Sequence, residues 1–270
     1  MPFVQTDDVH IYYEHHGSNY LNQIPLVFAY GLGGNTSMWW PQVAALSQHH
    51  PLILWDIRGH GQTSLPQSGH YGLQVSADDL KCLLDHLDIK KAHVGGLSMG
   101  GGIAVTFALK YPERVRSLIV CDASTALPPE LSPKHQQARG ETLALARAGN
   151  MAALATRNSD LARGFCLRAD EPEVAQKLTE MYVNMNPDAF VESLISLQTP
   201  SFTVSEVENI SLPTLVITGS HDPVRPACER FHQGVAGSVY KVLRSAGHLS
   251  NIDQAAAFNQ ALLTFLDAQP

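Results

Sequence analysis

The sequence predicts an α/β protein with a mainly parallel, doubly wound sheet and an all-helical insertion. Strand-like apolar runs alternate with helical patterns through residues 1–127, and the alternation resumes through residues 201–270. Between them, residues 128–200 carry several helical patterns but no convincing strand. Alternating strands and helices are joined by right-handed crossovers, which make neighbouring strands parallel. We therefore assign residues 1–127 and 201–270 to one core domain and residues 128–200 to a helical insertion.

Short apolar runs predict the strands of the core. The predicted strands cover residues 9–14, 25–30, 51–56, 92–95, 115–122, 212–218 and 239–243. Several of these runs are continuously apolar, which is typical of strands buried on both faces of a parallel sheet. In such a sheet, the ligand site lies at the carboxyl ends of the strands.

Apolar residues that recur every three or four positions predict helices between the strands. The predicted helices cover residues 39–46, 76–87, 101–109, 227–235 and 254–266 in the core and 141–147, 173–185 and 188–197 in the insertion. Thr36 or Ser37 is suited to cap the first of them. Turn-forming residues at 149–150 and 186–187 separate helices of the insertion.

The composition excludes several classes of partner. The 270 residues carry a formal net charge of −7, which argues against nucleic acid or an anionic membrane. No apolar run approaches the roughly 20 residues that span a bilayer, and the first residues lack the features of a signal peptide. The four cysteines show no C-x-x-C spacing, so neither a disulfide framework nor a zinc site is indicated. We expect a cytoplasmic enzyme with reduced cysteines.

One five-residue pattern, Gly96-Leu97-Ser98-Met99-Gly100, points to nucleophilic catalysis. By itself, G-x-S-x-G arises by chance in about one chain in ten of this length. Here a predicted strand precedes it and an apolar helix follows it. A serine on such a strand-to-helix turn presents its hydroxyl at the carboxyl edge of the sheet, and the flanking glycines let strand and helix approach. The pattern therefore predicts a nucleophile elbow.

A serine hydroxyl needs a base, and the base needs an orienting acid. Asp222 and His248 each follow a predicted strand, so their loops reach the same sheet edge as Ser98. The order Ser98, Asp222, His248 is that of an α/β-type Ser-Asp-His triad. Asp122 also follows a strand and competes with Asp222 for the role of the acid.

Acyl transfer also needs two N–H donors for the oxyanion. The backbone amide of Met99, at the start of the elbow helix, is one candidate. Leu32, within the glycine-rich run Gly31–Gly34 that follows a strand, is the other. A phosphate-binding loop is disfavoured, because no Lys-Ser/Thr follows the glycines and the G-x-G-x-x-G spacing is absent.

With these motifs in place, the chain resembles the α/β-hydrolase superfamily over essentially its whole length. The matching motifs are residues 30–34, residues 56–61, the elbow at Ser98, and the loops of Asp222 and His248. Within the superfamily it is most similar to cofactor-free esterases, enol-lactonases and N-acyl-homoserine lactonases. The resemblance implies that residues 128–200 form the helical cap and that Arg58 and His60 are structural. It also implies hydrolysis through an acyl-enzyme, without metal or cofactor.

Substrate contacts are expected from the pocket floor and the cap. The candidates are Tyr30, which stands where the family usually has histidine, and Trp39, Phe165, Met185 and Phe190. Of the pair Trp39 and Trp40, one is expected to pack on the sheet and the other to face the site entrance.

These observations predict a serine hydrolase of small carboxylic esters or lactones, N-acyl-homoserine lactones among them. The substrate is then a small molecule, and the protein is a monomer or homodimer. Two alternatives stay open at this point: a carbon–carbon bond hydrolase with the same triad, and a small-molecule receptor with slow turnover.

Overall fold

An eight-stranded sheet forms the centre of the computed structural model, which describes residues 2–17, 23–123, 133–160, 165–199 and 201–269. The strands are β1 (Phe3–Gln5), β2 (His10–His16), β3 (Leu26–Ala29), β4 (Leu52–Trp55), β5 (Ala92–Leu97), β6 (Val115–Cys121), β7 (Thr214–Gly219) and β8 (Val239–Leu243). Their order in the sheet is β1-β2-β4-β3-β5-β6-β7-β8. β1 and β2 are antiparallel to their neighbours, and β3 to β8 are parallel. The predicted α/β fold class is confirmed.

Helices lie between the strands and in the segment that follows β6. They are α1 (Trp40–Leu46), α2 (Leu73–His86), α3 (Met99–Lys110), α4 (Pro133–Arg147), α5 (Met151–Asp160), α6 (Pro172–Val183), α7 (Pro187–Ser196), α8 (Val204–Glu208), α9 (Arg225–Gly234), α10 (Ser250–Asp253) and α11 (Ala255–Asp267). A 3-10 turn at Thr36–Trp39 precedes α1. None of the helices in the described residues is long and apolar enough to cross a bilayer.

The predicted strands all have counterparts, while several short elements were not predicted. β1, α5, α8 and α10 are of this kind, because each is too short or too weakly periodic to stand out from its surroundings. The first cap is also different from the prediction. Asn35, rather than Thr36 or Ser37, caps the 3-10 turn by accepting a hydrogen bond from the Ser37 amide at 2.9 Å.

The segment predicted as the insertion contains helices α4 to α7, and its described residues form no strand. Residues 128–132, 161–164 and 200 of that segment lie outside the described residues, so its boundaries stay predictions. α4 contacts both α5 and α7, and α5 contacts α6. An apolar cluster within these helices, which we call the cap cluster, includes Met151, Leu154, Tyr182, Met185 and Phe190.

The main core lies on both faces of the sheet. β3, β4 and β7 are buried along their whole length, which accounts for their continuous apolar runs. Leu32, in the loop after β3, packs against both this core and the cap cluster. All four cysteines are free thiols, and only Cys82 among them is exposed.

Two buried histidines make the fold sensitive to acid. Burial lowers the pKa of His60 to about 4 and that of His93 to about 4, from 6.5 in an unfolded chain. Between pH 6.5 and pH 4 the unfolded state therefore binds more protons than the folded state, and the free energy of unfolding falls as the pH decreases. One pKa unit corresponds to about 1.4 kcal/mol, so the two rings together contribute several kcal/mol to this loss.

We expect the His93→Gln variant to lose less stability than wild type between pH 6.5 and pH 4, whatever its stability at pH 7. Urea unfolding at a series of pH values measures the slope. His70→Gln, which changes an exposed side chain, serves as the control and should keep the wild-type slope. Parallel slopes for wild type and His93→Gln would contradict the prediction.

Candidate active site

Ser98 lies on a strained turn between β5 and α3. Its backbone has φ 55° and ψ −116°, a conformation that is costly for a residue with a Cβ atom. The turn is tight because a Cβ atom on Gly96 would overlap the backbone of Gly100, and one on Gly100 would overlap the carbonyl of Ala29. The predicted strand–turn–helix arrangement is present, and these two glycines are sterically required.

Neighbouring strands hold this turn in place. The Ser98 amide donates to the Cys121 carbonyl at 2.9 Å, and the Gly100 amide donates to the Tyr30 carbonyl at 2.9 Å. The turn is therefore attached to the ends of β6 and β3 at the carboxyl edge of the sheet. Because both attachments use backbone groups, they leave the Ser98 hydroxyl available.

The glycine-rich loop after β3 lies directly beside the serine. A Cβ atom on Gly31 would be 3.2 Å from Ser98 Cβ and 3.7 Å from Ser98 Oγ. Within the described residues, neither the Leu32 amide nor the Met99 amide donates a hydrogen bond. Both predicted N–H donors are therefore available near the serine for an anionic oxygen.

His248 and Asp222 form a hydrogen-bonded pair at the same edge. His248 Nδ1 is 3.1 Å from each oxygen of the Asp222 carboxylate, and Asp222 Oδ1 also accepts from the Val224 amide at 2.9 Å. Burial by itself raises the pKa of Asp222, but the His248 ring outweighs it, and the pKa lies below its usual value. Asp222 is thus ionised and hydrogen-bonded to the imidazole.

The serine and this pair follow the carboxyl ends of three strands, at one edge of the sheet. Ser98 follows β5, Asp222 follows β7 and His248 follows β8, and these strands are parallel members of one sheet. In the described part of the chain, Ser98 Oγ makes no hydrogen bond, to His248 or to any other group. Hydrogen bonds of this kind often form only when a substrate is bound.

Asp122, the competing acid, contacts other partners. It has φ 46°, and its Oδ1 accepts from the Gly219 amide at 2.8 Å. The Ser250 hydroxyl is hydrogen-bonded to its Oδ2. Burial and the neighbouring Asp222 raise the pKa of Asp122 well above its usual value, so this carboxyl holds its proton. The acid that touches His248 is Asp222.

Aromatic residues form a wall beside the pair and the glycine-rich loop. The Phe165 ring lies 5.4 Å from the His248 ring, centroid to centroid. A Cβ atom on Gly33 would be 2.6 Å from Tyr182 and 3.2 Å from Phe190, so both rings pack on the loop that carries Leu32. Met185 is a buried member of the cap cluster. Phe165 therefore borders the His248–Asp222 pair, whereas Phe190 is buried beneath the glycine-rich loop.

Two residues predicted to contact substrate belong to the core instead. Trp39 is completely buried, with its ring 4.8 Å from Phe28 and 6.2 Å from Phe258. Trp40 is the member of the pair that reaches the cap, where Lys177 lies 5.5 Å from its ring.

Tyr30 is also completely buried. Its hydroxyl accepts from the Ile57 amide at 2.8 Å, so the side chain is directed to the loop after β4. Tyr30 therefore holds that loop in place and does not face the site.

The motif at residues 56–61 is structural, as predicted for Arg58 and His60. Arg58 is buried and pairs with Asp79 at 2.7 Å and with Asp8 at 2.8 Å. His60 is buried, and its Nδ1 is hydrogen-bonded to the Arg58 carbonyl at 3.1 Å. The described residues include no group of three or more metal-ligating side chains that could hold an ion.

A further buried carboxylate at this edge of the sheet, Asp253, was not predicted from the sequence. It lies on α10, five residues after His248, and accepts hydrogen bonds from both the cap and the His248 loop. The only sequence signal is an acidic residue just before an apolar helix, which by itself is typical of a helix boundary.

Comparison with known proteins agrees with this architecture. A family model described as the alpha/beta hydrolase fold matches residues 24–255. The chain belongs to the α/β-hydrolase family, as its motifs predicted. This membership supports hydrolase activity.

Within the family, the chain is similar to enol-lactonases and to an esterase. The chain is 31% identical over 241 residues to 3-oxoadipate enol-lactonase 2 of Acinetobacter baylyi, covering 88% of this chain and 86% of the relative. It is 30% identical to the crystal structure of the enol-lactonase from Burkholderia xenovorans LB400, with a TM-score of 0.87 over 98% of this chain and 100% of that one. A thermophilic esterase from Thermogutta terrifontis is 27% identical, with a TM-score of 0.85 over 99% and 97% of the two chains.

Proposed function

We propose that this protein is a serine hydrolase that cleaves small carboxylic esters or lactones through Ser98, His248 and Asp222. One observation carries the proposal. A serine on a strained elbow and a histidine paired with an ionised aspartate lie at the ends of parallel strands in one sheet, beside two unoccupied backbone N–H groups. These are the parts that acyl transfer requires: nucleophile, base, orienting acid and oxyanion donors.

The first half-reaction forms an acyl-enzyme. His248 Nε2 takes the proton of the Ser98 hydroxyl as Oγ attacks the acyl carbon. The carbonyl oxygen becomes an oxyanion, which accepts hydrogen bonds from the Leu32 and Met99 amides. The bond to the leaving oxygen then breaks, and His248 returns the proton to that oxygen. With a lactone, the leaving oxygen stays attached to the acyl group as a hydroxyl.

The second half-reaction releases the acid. His248 removes a proton from water, which attacks the acyl carbon of the ester on Ser98. The second oxyanion uses the same two amides, and the proton passes to Ser98 Oγ as the acyl group leaves. Asp222 accepts a hydrogen bond from His248 Nδ1–H throughout, which fixes the tautomer and stabilises the imidazolium.

The proposed substrate is a small acyl compound with an apolar part. Phe165 beside His248 supplies apolar surface next to the reacting groups, and the buried rings of Phe190 and Tyr182 support the Gly33 loop. The similarity to two enol-lactonases supports lactones as substrates of this protein, and the similarity to the thermophilic esterase supports simple esters.

Hydrolysis of a substrate panel tests the proposal. We expect turnover of p-nitrophenyl esters with short acyl chains and of at least one lactone among simple, enol- and homoserine lactones. A chromogenic assay follows the esters, and a pH indicator follows ring opening. A higher kcat/KM for lactones than for esters of equal carbon number would identify a lactonase.

The panel also separates the enzyme from a receptor on the same fold. A receptor would show ligand-dependent shifts in thermal unfolding but negligible turnover. The absence of hydrolysis across all esters and lactones would contradict the proposed function. This holds whether or not a fluorophosphonate labels the protein.

A further inference from the structure

Asp253 connects residues 165–168, which lie between α5 and α6 of the cap, to the loop that carries His248. The side chain is buried, with 6% exposure, on the short helix α10. Its Oδ1 accepts hydrogen bonds from the Leu167 amide at 2.8 Å and the Arg168 amide at 3.1 Å, and from the Cys166 thiol at 3.3 Å. Its Oδ2 accepts from the Gly247 amide at 2.7 Å. One carboxylate therefore satisfies donors from two separate segments.

The two residues that flank His248 are both anchored through this arrangement. Gly247, which precedes it, is bound to Asp253. Leu249, which follows it, donates its amide to the Phe165 carbonyl at 2.7 Å. Residues 165–168 thus accept the hydrogen bond of Leu249 directly, and they share the Asp253 carboxylate with Gly247. The backbone on each side of His248 is fixed relative to this segment.

Side chains of residues 165–168 also contact the region around His248. The Phe165 ring is 5.4 Å from the His248 ring, and the Arg168 guanidinium donates to the Ile252 carbonyl at 3.1 Å. A displacement of residues 165–168 would therefore move two things at once: the Phe165 ring and the backbone on each side of His248. Small displacements of a catalytic base have large effects on rate, because proton transfer needs a correct distance and angle.

We propose that Asp253 is a positioning residue for the reaction. Its carboxylate holds the His248 loop and the Phe165 wall as one unit, so that the base and the acyl-binding surface keep a fixed relation. The inference rests on the proposed function, since it assigns His248 the role of the base. Asp253 itself does not touch the reacting atoms.

The Asp253→Asn variant tests this role. The amide nitrogen of asparagine cannot accept a hydrogen bond, so either Gly247 or the segment 166–168 must lose its partner. We expect kcat per active site to fall about 10- to 100-fold. We also expect the ratio of kcat/KM between p-nitrophenyl acetate and p-nitrophenyl hexanoate to change, because the Phe165 wall moves. Complete labelling by a fluorophosphonate counts the active sites.

Counting sites separates positioning from simple loss of folded protein. A variant that was merely less stable would show fewer labelled sites, but the same kcat per site and the same ratio between the two esters. Glu171→Gln is the matched control, because it breaks the exposed Arg168–Glu171 ion pair on the same segment and leaves Asp253 untouched. We expect its kcat per site to stay within about twofold of wild type.

A measurement on the wild-type protein covers the case in which Asp253→Asn does not fold. If Asp253 joins the two segments, the amides of Leu167, Arg168 and Gly247 should exchange with deuterium through one common opening and at similar protection factors. Protection of Gly247 more than tenfold above that of Leu167 and Arg168 would overturn the proposal. Wild-type kcat per site and an unchanged ester ratio in Asp253→Asn would overturn it as well. A wild-type protein inactive on every ester and every lactone would instead contradict the proposed function itself.

Discussion

The Ser98→Ala variant is expected to lose hydrolysis of an activated ester by about a thousandfold or more in kcat. The substitution removes the only atom that the mechanism uses to form the acyl-enzyme, while the Leu32 and Met99 amides remain. Residual turnover should come from binding and from these donors, through direct attack by water. A p-nitrophenyl acetate assay measures the loss, and fluorophosphonate labelling should disappear with it.

The fold of this variant should be unchanged. The Ser98 side chain makes no hydrogen bond within the described residues, and alanine meets the same backbone constraint as serine at φ 55°. We therefore expect the thermal midpoint to stay close to that of wild type. Ser205→Ala, which alters an exposed serine on α8, is the control and should keep full activity. A Ser98→Ala protein with wild-type kcat would eliminate the proposed mechanism.

The second large effect is expected from Asp222→Asn, with a loss of about ten-thousandfold in kcat. Asparagine keeps the shape of the side chain but presents an N–H group to His248, so the imidazole adopts the wrong tautomer for taking the Ser98 proton. The imidazolium that forms during the reaction also loses its negative partner. The same chromogenic ester assay measures the effect.

Asp122→Asn is the matched comparison. Because Asp122 holds its proton, asparagine resembles its native state, and its carbonyl can still accept from the Gly219 amide. We expect kcat to change by only a few-fold. If Asp122→Asn caused the larger loss and Asp222→Asn the smaller one, the assignment of the acid would be reversed.

Which of Asp122 and Asp222 pairs with His248 could not be predicted from the sequence. Both residues directly follow buried strands, and the strand pattern places both loops at one edge. What separates them is side-chain direction, which depends on the backbone of Asp122 at φ 46° and on its partners Gly219 and Ser250. Ser250 comes from a helix far along the chain, so no local pattern contains this information.

The orientation of Trp39 and Trp40 was also not predictable from the sequence. A helical pattern could predict that one of Trp39 and Trp40 faces the sheet, but adjacent residues at a helix start differ by about 100° in direction. A 3-10 turn ends at Trp39 and α1 begins at Trp40, so the phase of the helix changes between them. That change places Trp39 between Phe28 and Phe258.

The strands, by contrast, were predictable because local and tertiary preferences agree. Residues 26–29 and 214–219 are mostly apolar and buried on both faces, as a parallel sheet with helices on both sides requires. The elbow was predictable partly for a local reason, since Gly96 is required by its contact with the backbone of Gly100 four residues further on, whereas Gly100 is required by Ala29 of the neighbouring strand. Asp253 was not, because its partners are separated by up to 87 residues.

Leu32 has a consequence for how enzymes of this architecture diverge. Its side chain packs against both the main core and the cap cluster, while its amide is one of the two proposed oxyanion donors. A new set of cap residues therefore alters the support of a group that acts on the transition state. Exchanging caps between relatives to change substrate preference will shift turnover along with binding, and variants selected for a new substrate will need compensating changes around residues 31–34.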